Sequence, residues 1–232
     1  MIFALLLAWG NALPKRFARL FNHFLRPWKN EYTWYMLLHH RYLLFIIHFV
    51  FEIPLLVFDI LGIPEWVSCA QSILKKDARE LLDYEIELAR EIFKDNLNLA
   101  KVRVDQNSKV GTHGGKYAFV TFNYINCIGH IRIAIVIHEL VHILQFEQDG
   151  SRYAFRNVIA HLLPKTYDYG GIVKIKEVLS KPSLIHSLNY EQRADIFSDY
   201  CLLLNGYKPE WGNANSNDLI YYYKIIQLLI RK

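Results

Sequence analysis

Five residues, His138-Glu139-Leu140-Val141-His142, carry the most specific chemistry in the chain. Imidazole nitrogens are ligands for transition metals, and a carboxylate beside them can take a proton from a metal-activated water. The spacing H-E-x-x-H serves that chemistry only on a helix. There, a rise of ~1.5 Å per residue puts both rings on one face, about one turn apart. On a strand the same rings would stand ~13 Å apart and could not share an ion.

The element around them must therefore be helical. Ile133, Ala134, Ile137, Leu140, Val141 and Leu144 recur at three- and four-residue spacing. The β-branched run from Ile131 to Ile137 argues for a strand, but the 16 residues from Ile131 to Phe146 contain no Pro or Gly. That length is unusual for a strand and ordinary for a helix. With apolar residues on nearly every side, the helix must be buried. Two buried histidines and a glutamate then need partners. A metal would supply one; hydrogen bonds to backbone are the alternative.

A catalytic zinc has three protein ligands and a water. The continuation H-E-x-x-H-x-x-G-x-x-H fails, because Gln145 and Gln148 stand where Gly and His are required. The favoured third ligand is Glu191, in the segment Asn189-Tyr190-Glu191-Gln192-Arg193-Ala194-Asp195. On a helix Glu191 and Asp195 share a face, with Ala194 and Ser198 small enough for close approach to the histidine helix. Asp195 could then accept the second N–H of a liganding histidine and fix its tautomer. His161 and His186 are rival ligands. Without the upstream histidines, Glu191, Asp195 and Asp199 would read as a solvated acidic stripe.

H-E-x-x-H at 138–142 with N-x-E-x-x-x-D at 189–195 resembles the gluzincins, the thermolysin-like zinc peptidases. Two departures stand out. Tyr190 separates Asn189 from Glu191, and Glu191 follows His142 by 49 positions. The wording from His138 to Gln145 and from Glu191 to Asp195 is closer to a loose group of small bacterial metallopeptidases, some attached to toxin or secreted-effector proteins. The resemblance covers about residues 77–205. It implies a zincin-like fold, one Zn2+ held by His138, His142 and Glu191, Glu139 as general base, and a peptide or protein substrate. It also implies a Tyr or His that donates to the substrate carbonyl oxygen. The candidates are Tyr153, Tyr167, Tyr169, His161 and His186. Tyr169 is preferred, because Tyr167-Asp168-Tyr169-Gly170-Gly171 reads as a tight loop. A non-catalytic module that keeps the zincin frame is one competing reading. A membrane-associated protein with an accidental H-E-x-x-H is another.

The chain has 232 residues, 53% of them hydrophobic, enough for one large domain or a domain with an appendage. The three cysteines, Cys69, Cys127 and Cys201, form no C-x-x-C and read as free thiols. The net charge of +5 lies wholly within residues 1–50, where six basic residues face Glu31 alone. The remainder is neutral, and no nucleic-acid-binding motif is present. Within the basic arm, Phe17, Leu20, Phe21, Phe24 and Leu25 recur with helical spacing among Arg and Lys. That suits a membrane-surface helix, or a helix packed on the rest with its basic face outward. The apolar stretch Trp34–Ile63 fits core packing or a re-entrant membrane segment. Localisation is not indicated.

The expected organisation is α+β and helix-rich. Residues 1–75 form an apolar, basic helical region, with possible membrane association, and 76–232 a catalytic domain. A helix is expected at 77–94, with Leu81, Leu82, Ile86, Ala89 and Phe93 inward. Strands 101–105 and 116–126 should pair in a small antiparallel sheet, an edge of which could bind an extended peptide. An insert at 149–188 precedes helices at 190–204 and 219–230.

Overall fold

A computed structural model describes residues 2–29, 42–109, 111–115, 117–162 and 165–230. Trp34–Arg41 of the apolar stretch and Lys116 of the expected strand lie outside them. The described chain divides into two compact units, one of residues 1–74 with 149–156, the other of 75–148 with 157–232.

The first unit contains α1 (Ile2–Lys29), α2 (Tyr42–Ile60) and α3 (Ile63–Leu74), which pack on one another. Residues 2–29 are helical as the spacing suggests, but α1 is mixed in character and does not stand out as an apolar helix. Of the two readings, a helix packed with its basic face outward does not hold. Arg16 is buried and Arg19 mostly so, whereas Phe17, Phe21 and Phe24 are exposed. Arg16 donates to the Asp59 carbonyl and pairs with Glu65, and Arg19 pairs with Asp59. Buried charge is tolerated only when paired, so the acids of α2 and α3 turn the arginines inward.

The second unit carries the histidines. It begins with Arg79, whose backbone exchanges hydrogen bonds with Val104. That bridge, after a turn at 76–77, keeps 79–82 out of the helix, so α4 runs only from Asp83 to Phe93, six residues later than the periodicity suggests. Leu81 is buried and Leu82 is largely exposed at the N-cap. The buried Glu85 carboxylate accepts the Leu82 N–H at 2.7 Å and a bidentate pair of bonds from Arg79 at 2.8 and 2.9 Å. Ala89, Ile92 and Phe93 face the core, and the Phe93 ring stacks on Phe197.

The sheet is mixed, not antiparallel. Strands β1 (Arg103–Asp105), β2 (Phe119–Thr121) and β3 (Tyr124–Asn126) lie in the order β1-β3-β2. β1 pairs parallel to β3, with Val104 opposite Ile125, and β2 pairs antiparallel to β3. The expected single strand at 116–126 is a hairpin, folded at Phe122-Asn123. Phe122 takes a left-handed φ of 55°, and its ring meets Phe146 edge-on at 4.8 Å. That contact offsets the strain of a bulky residue at positive φ.

After the sheet come α5 (Ile133–Asp149), α6 (Arg152–Leu162), α7 (Gly171–Ser180), α8 (Tyr190–Leu204) and α9 (Leu219–Ile230). α5 is buried on nearly all sides: Val136, Ile137, Leu140 and Ile143 are all at most 1% exposed. Ala194 on α8 is fully buried, the small residue that close helix approach requires. α8 opens on a reciprocal cap. The Asn189 side chain accepts the Gln192 N–H at 2.8 Å, and the Gln192 side chain accepts the Asn189 N–H at 3.1 Å. Gly171 is required where it stands. It has a φ of 62°, and a Cβ there would meet the backbone of Trp211 and Gly212 at 3.0 Å. Cys127 and Cys201 are buried free thiols, and Cys69 is a half-buried one.

Candidate metal centre

One turn of α5 projects His138 and His142 toward the first turn of α8, where Glu191 meets them. The His138 and His142 Nε2 atoms are 3.1 Å apart. Glu191 Oε2 lies 3.1 Å from the first and 3.3 Å from the second. Among the described residues these three side chains form the one group able to hold a metal ion, with all ligand atoms within 4.8 Å of one another.

The other ring nitrogens fix how the cluster is protonated. His138 Nδ1 is 2.8 Å from Asp195 Oδ1, and a carboxylate can only accept, so Nδ1 carries the proton. Trp211 Nε1 donates to the other Asp195 oxygen at 2.7 Å and holds it in place. His142 Nδ1 lies 2.9 Å from Gln145 Oε1. The Gln145 amide orientation is set by its Nε2, which donates to the Tyr190 carbonyl at 3.0 Å. His142 Nδ1 is therefore a donor as well. Both Nε2 atoms then face Glu191 Oε2, and without a shared proton or a cation three acceptors would converge. Such a cluster needs positive charge at its centre.

The acid–base balance agrees. Burial pulls the His138 ring toward neutrality, but hydrogen bonds to Asp195 and Glu191 outweigh it and hold its pKa well above the ordinary value. Burial alone would raise the Glu191 carboxyl. The charge of His142 and the hydrogen bonds of His138, His142 and His161 hold it far below the usual carboxylate range instead.

Glu139 is 4% exposed, and among the described residues its Oε2 has no hydrogen-bond partner. Burial pushes its pKa up, against the nearby His142 and His138 charges, while Glu191 and Asp195 add to the rise. A buried carboxylate with an unpartnered oxygen, next in sequence to His138, has the raised basicity and the free lone pair that a general base needs.

The remaining candidates separate clearly. Tyr169 is 3% exposed, and its hydroxyl is committed to Asp199 Oδ2 at 2.6 Å and Tyr222 at 2.7 Å. It is a core residue, which corrects its assignment as carbonyl donor. Tyr167, two residues earlier, is half-buried, and its ring centre lies 6.4 Å from that of His138 and 5.9 Å from that of His161. Burial, then the charges of Glu191, Asp195 and Glu139, push its pKa up, so its hydroxyl stays a donor. His161 is no member of the ligand trio. Its Nε2 lies 3.2 Å from the outer oxygen of Glu191, with the side chain 47% exposed. That pairing raises its pKa, against partial burial. His186 is exposed and outside the group, and Tyr153 belongs to the other unit.

Four residues that position the site have no metal-binding signature of their own: Gln145, Trp211, Asn189 and Gln192. Asn189 Nδ2 donates to the Thr166 carbonyl at 3.0 Å. Gln192 Nε2 donates to the carbonyls of Lys165 and Asp168 at 3.1 and 3.0 Å. The cap of α8 thus also holds the loop that presents Tyr167. The reciprocal cap was readable from N-x-x-Q; the loop it binds was not.

Compared with known proteins, the chain matches no family model, no curated protein and no solved structure.

Proposed function

We propose that the chain is a zinc-dependent hydrolase of peptide or amide bonds, of the gluzincin type. The observation that carries the proposal is the convergence of His138 Nε2, His142 Nε2 and Glu191 Oε2 beside the unpartnered carboxylate oxygen of Glu139. Two neutral imidazoles and one carboxylate are a donor set that zinc favours, and it leaves room for a water. A zinc ion held there supplies an acidic bound water and polarises a substrate carbonyl.

The protein's own groups divide the remaining work. Asp195 and Gln145 keep both Nδ1 atoms protonated, so the Nε2 lone pairs stay available. Glu139 would take a proton from the attacking water and return it to the leaving nitrogen, its raised pKa favouring the first transfer. Tyr167 and His161 are the donors placed to hydrogen-bond the developing charge on the carbonyl oxygen. His161 also restrains Glu191 through its outer oxygen.

The test is Glu139→Gln, assayed on a mixed peptide library. We expect zinc content to be retained and cleavage to fall by about 10²–10⁴-fold, the usual range for loss of a general base. Undiminished cleavage with zinc bound would remove Glu139 from the mechanism.

A further inference from the structure

The N-terminal unit is ordered inside out. Its buried side chains are mostly polar or charged: Arg16, His23, Glu52, Asp59 and Gln71. Its outward side chains are large and apolar on all three helices, among them Phe17 and Phe21 on α1, Val57 and Phe58 on α2, and Trp66 and Ile73 on α3. The interior charges are paired. Arg156 grips Glu52 with two hydrogen bonds of 2.6 and 2.8 Å, Arg19 pairs with Asp59, and Ser151 donates to Asp59 through both its N–H and its hydroxyl. In water this order is costly twice over. Buried ion pairs stabilise no better than apolar packing, and apolar side chains lose by facing solvent. In hydrocarbon the second cost vanishes, because apolar groups are solvated there, and the inward pairing becomes a requirement, because ionisable groups must face one another and not lipid.

From this inversion we infer that the N-terminal unit is seated in the acyl layer of a lipid bilayer. A protein partner would cover one face, whereas here each of the three helices has an exposed apolar surface. The seat is a bent pair of helices, not one straight span. No single helix among the described residues is long and apolar enough to cross a membrane, but Ile46–Ile60 and Ile63–Leu74 pass that test together, bent by 64°. The 19 residues of α2 at ~1.5 Å each reach ~28 Å, close to a ~30 Å hydrocarbon core, and end at the bend. The bend is built in. Gly62 has a φ of 76°, and a Cβ there would meet the Trp9 ring at 2.7 Å. Trp9 Nε1 donates to the Ile60 carbonyl at 2.8 Å, a group that the end of α2 leaves without a helical partner. Hydrocarbon demands such satisfaction of backbone groups.

The experiment floats the full chain, purified in mild detergent, with reconstituted phosphatidylcholine vesicles, and repeats it with phosphatidylglycerol added. We expect flotation with the neutral lipid that survives a high-salt wash. We expect about a tenfold loss of the floated fraction in V57K/F58K, and none in V173K, which alters an exposed apolar residue of the other unit. Circular dichroism checks that the double variant folds. If it does not, quenching of wild-type tryptophan fluorescence by acyl-brominated phosphatidylcholine decides the matter. Absence of quenching, flotation that needs phosphatidylglycerol and is lost in salt, or a monodisperse detergent-free oligomer that ignores vesicles would each overturn the inference. None of these outcomes bears on the zinc site, which is read separately by metal content.

Discussion

Each of the two clustered imidazoles is held by a different kind of partner. His138 leans on a carboxylate, Asp195, and His142 on an amide, Gln145, itself anchored to the Tyr190 carbonyl. The anchor ties α5 to α8 at the level of the site, so Gln145 orients a ring and sets a helix spacing at once. Gln145→Ala should weaken zinc binding by about 10–100-fold, the usual effect of losing such support. Competition with a chromophoric chelator measures it. Tyr169→Phe, which disturbs only the hydroxyl chain to Asp199 and Tyr222, should leave that affinity unchanged. At this scale the clustering of His138, His142 and Glu191 was legible, because H-E-x-x-H and E-x-x-x-D have helical spacings that declare a shared face. It misjudged the tyrosine. Tyr167 and Tyr169 are equivalent as letters, and only hydrogen bonds from Asn189 and Gln192 to the intervening backbone decide which ring faces the histidines.

Among the elements, α8 does most of the organising. Glu191 and Asp195 serve the cluster, and one turn later Asp199 accepts the backbone N–H groups of Glu210 and Trp211, fastening the segment that brings Trp211 to Asp195. Burial, opposed by bonds from Tyr169, Glu210 and Trp211, pushes the Asp199 carboxyl up to about 6. The folded pKa thus lies above the ordinary value of 3.8. The folded state binds the extra proton, and the stability this gives is present at low pH and lost as pH rises from about 4 to about 6. Asp199→Asn should remove that slope from the difference between the two thermal-unfolding profiles. At neutral pH it should cost about 1–3 kcal/mol, because an amide cannot accept all three bonds. A slope unchanged by the substitution would show that Asp199 is not its source. Helices α5, α8 and α9 were readable from apolar periodicity and their caps. The start of α4 and the mixed sheet were not, because Arg79–Val104 and β1–β3 pair residues about 20 or more apart, and local pattern carries no record of such pairing.

Across the whole chain, charge and metal ligands segregate. The excess of basic residues lies within the first fifty, and the proposed catalytic groups all lie in the unit of 75–148 with 157–232. Composition revealed that asymmetry. It did not reveal that Arg16 and Arg19 point inward, since periodicity distinguishes two faces of a helix without saying which one meets the solvent. The account rests on one claim: that His138, His142 and Glu191 bind a single ion together. Elemental analysis of chain purified without chelators, wild type beside Glu191→Ala, tests it most directly. We expect one zinc per chain in the wild type and a loss of most of it in the variant. Equal zinc in both proteins, or no transition metal in the wild type, would contradict the claim.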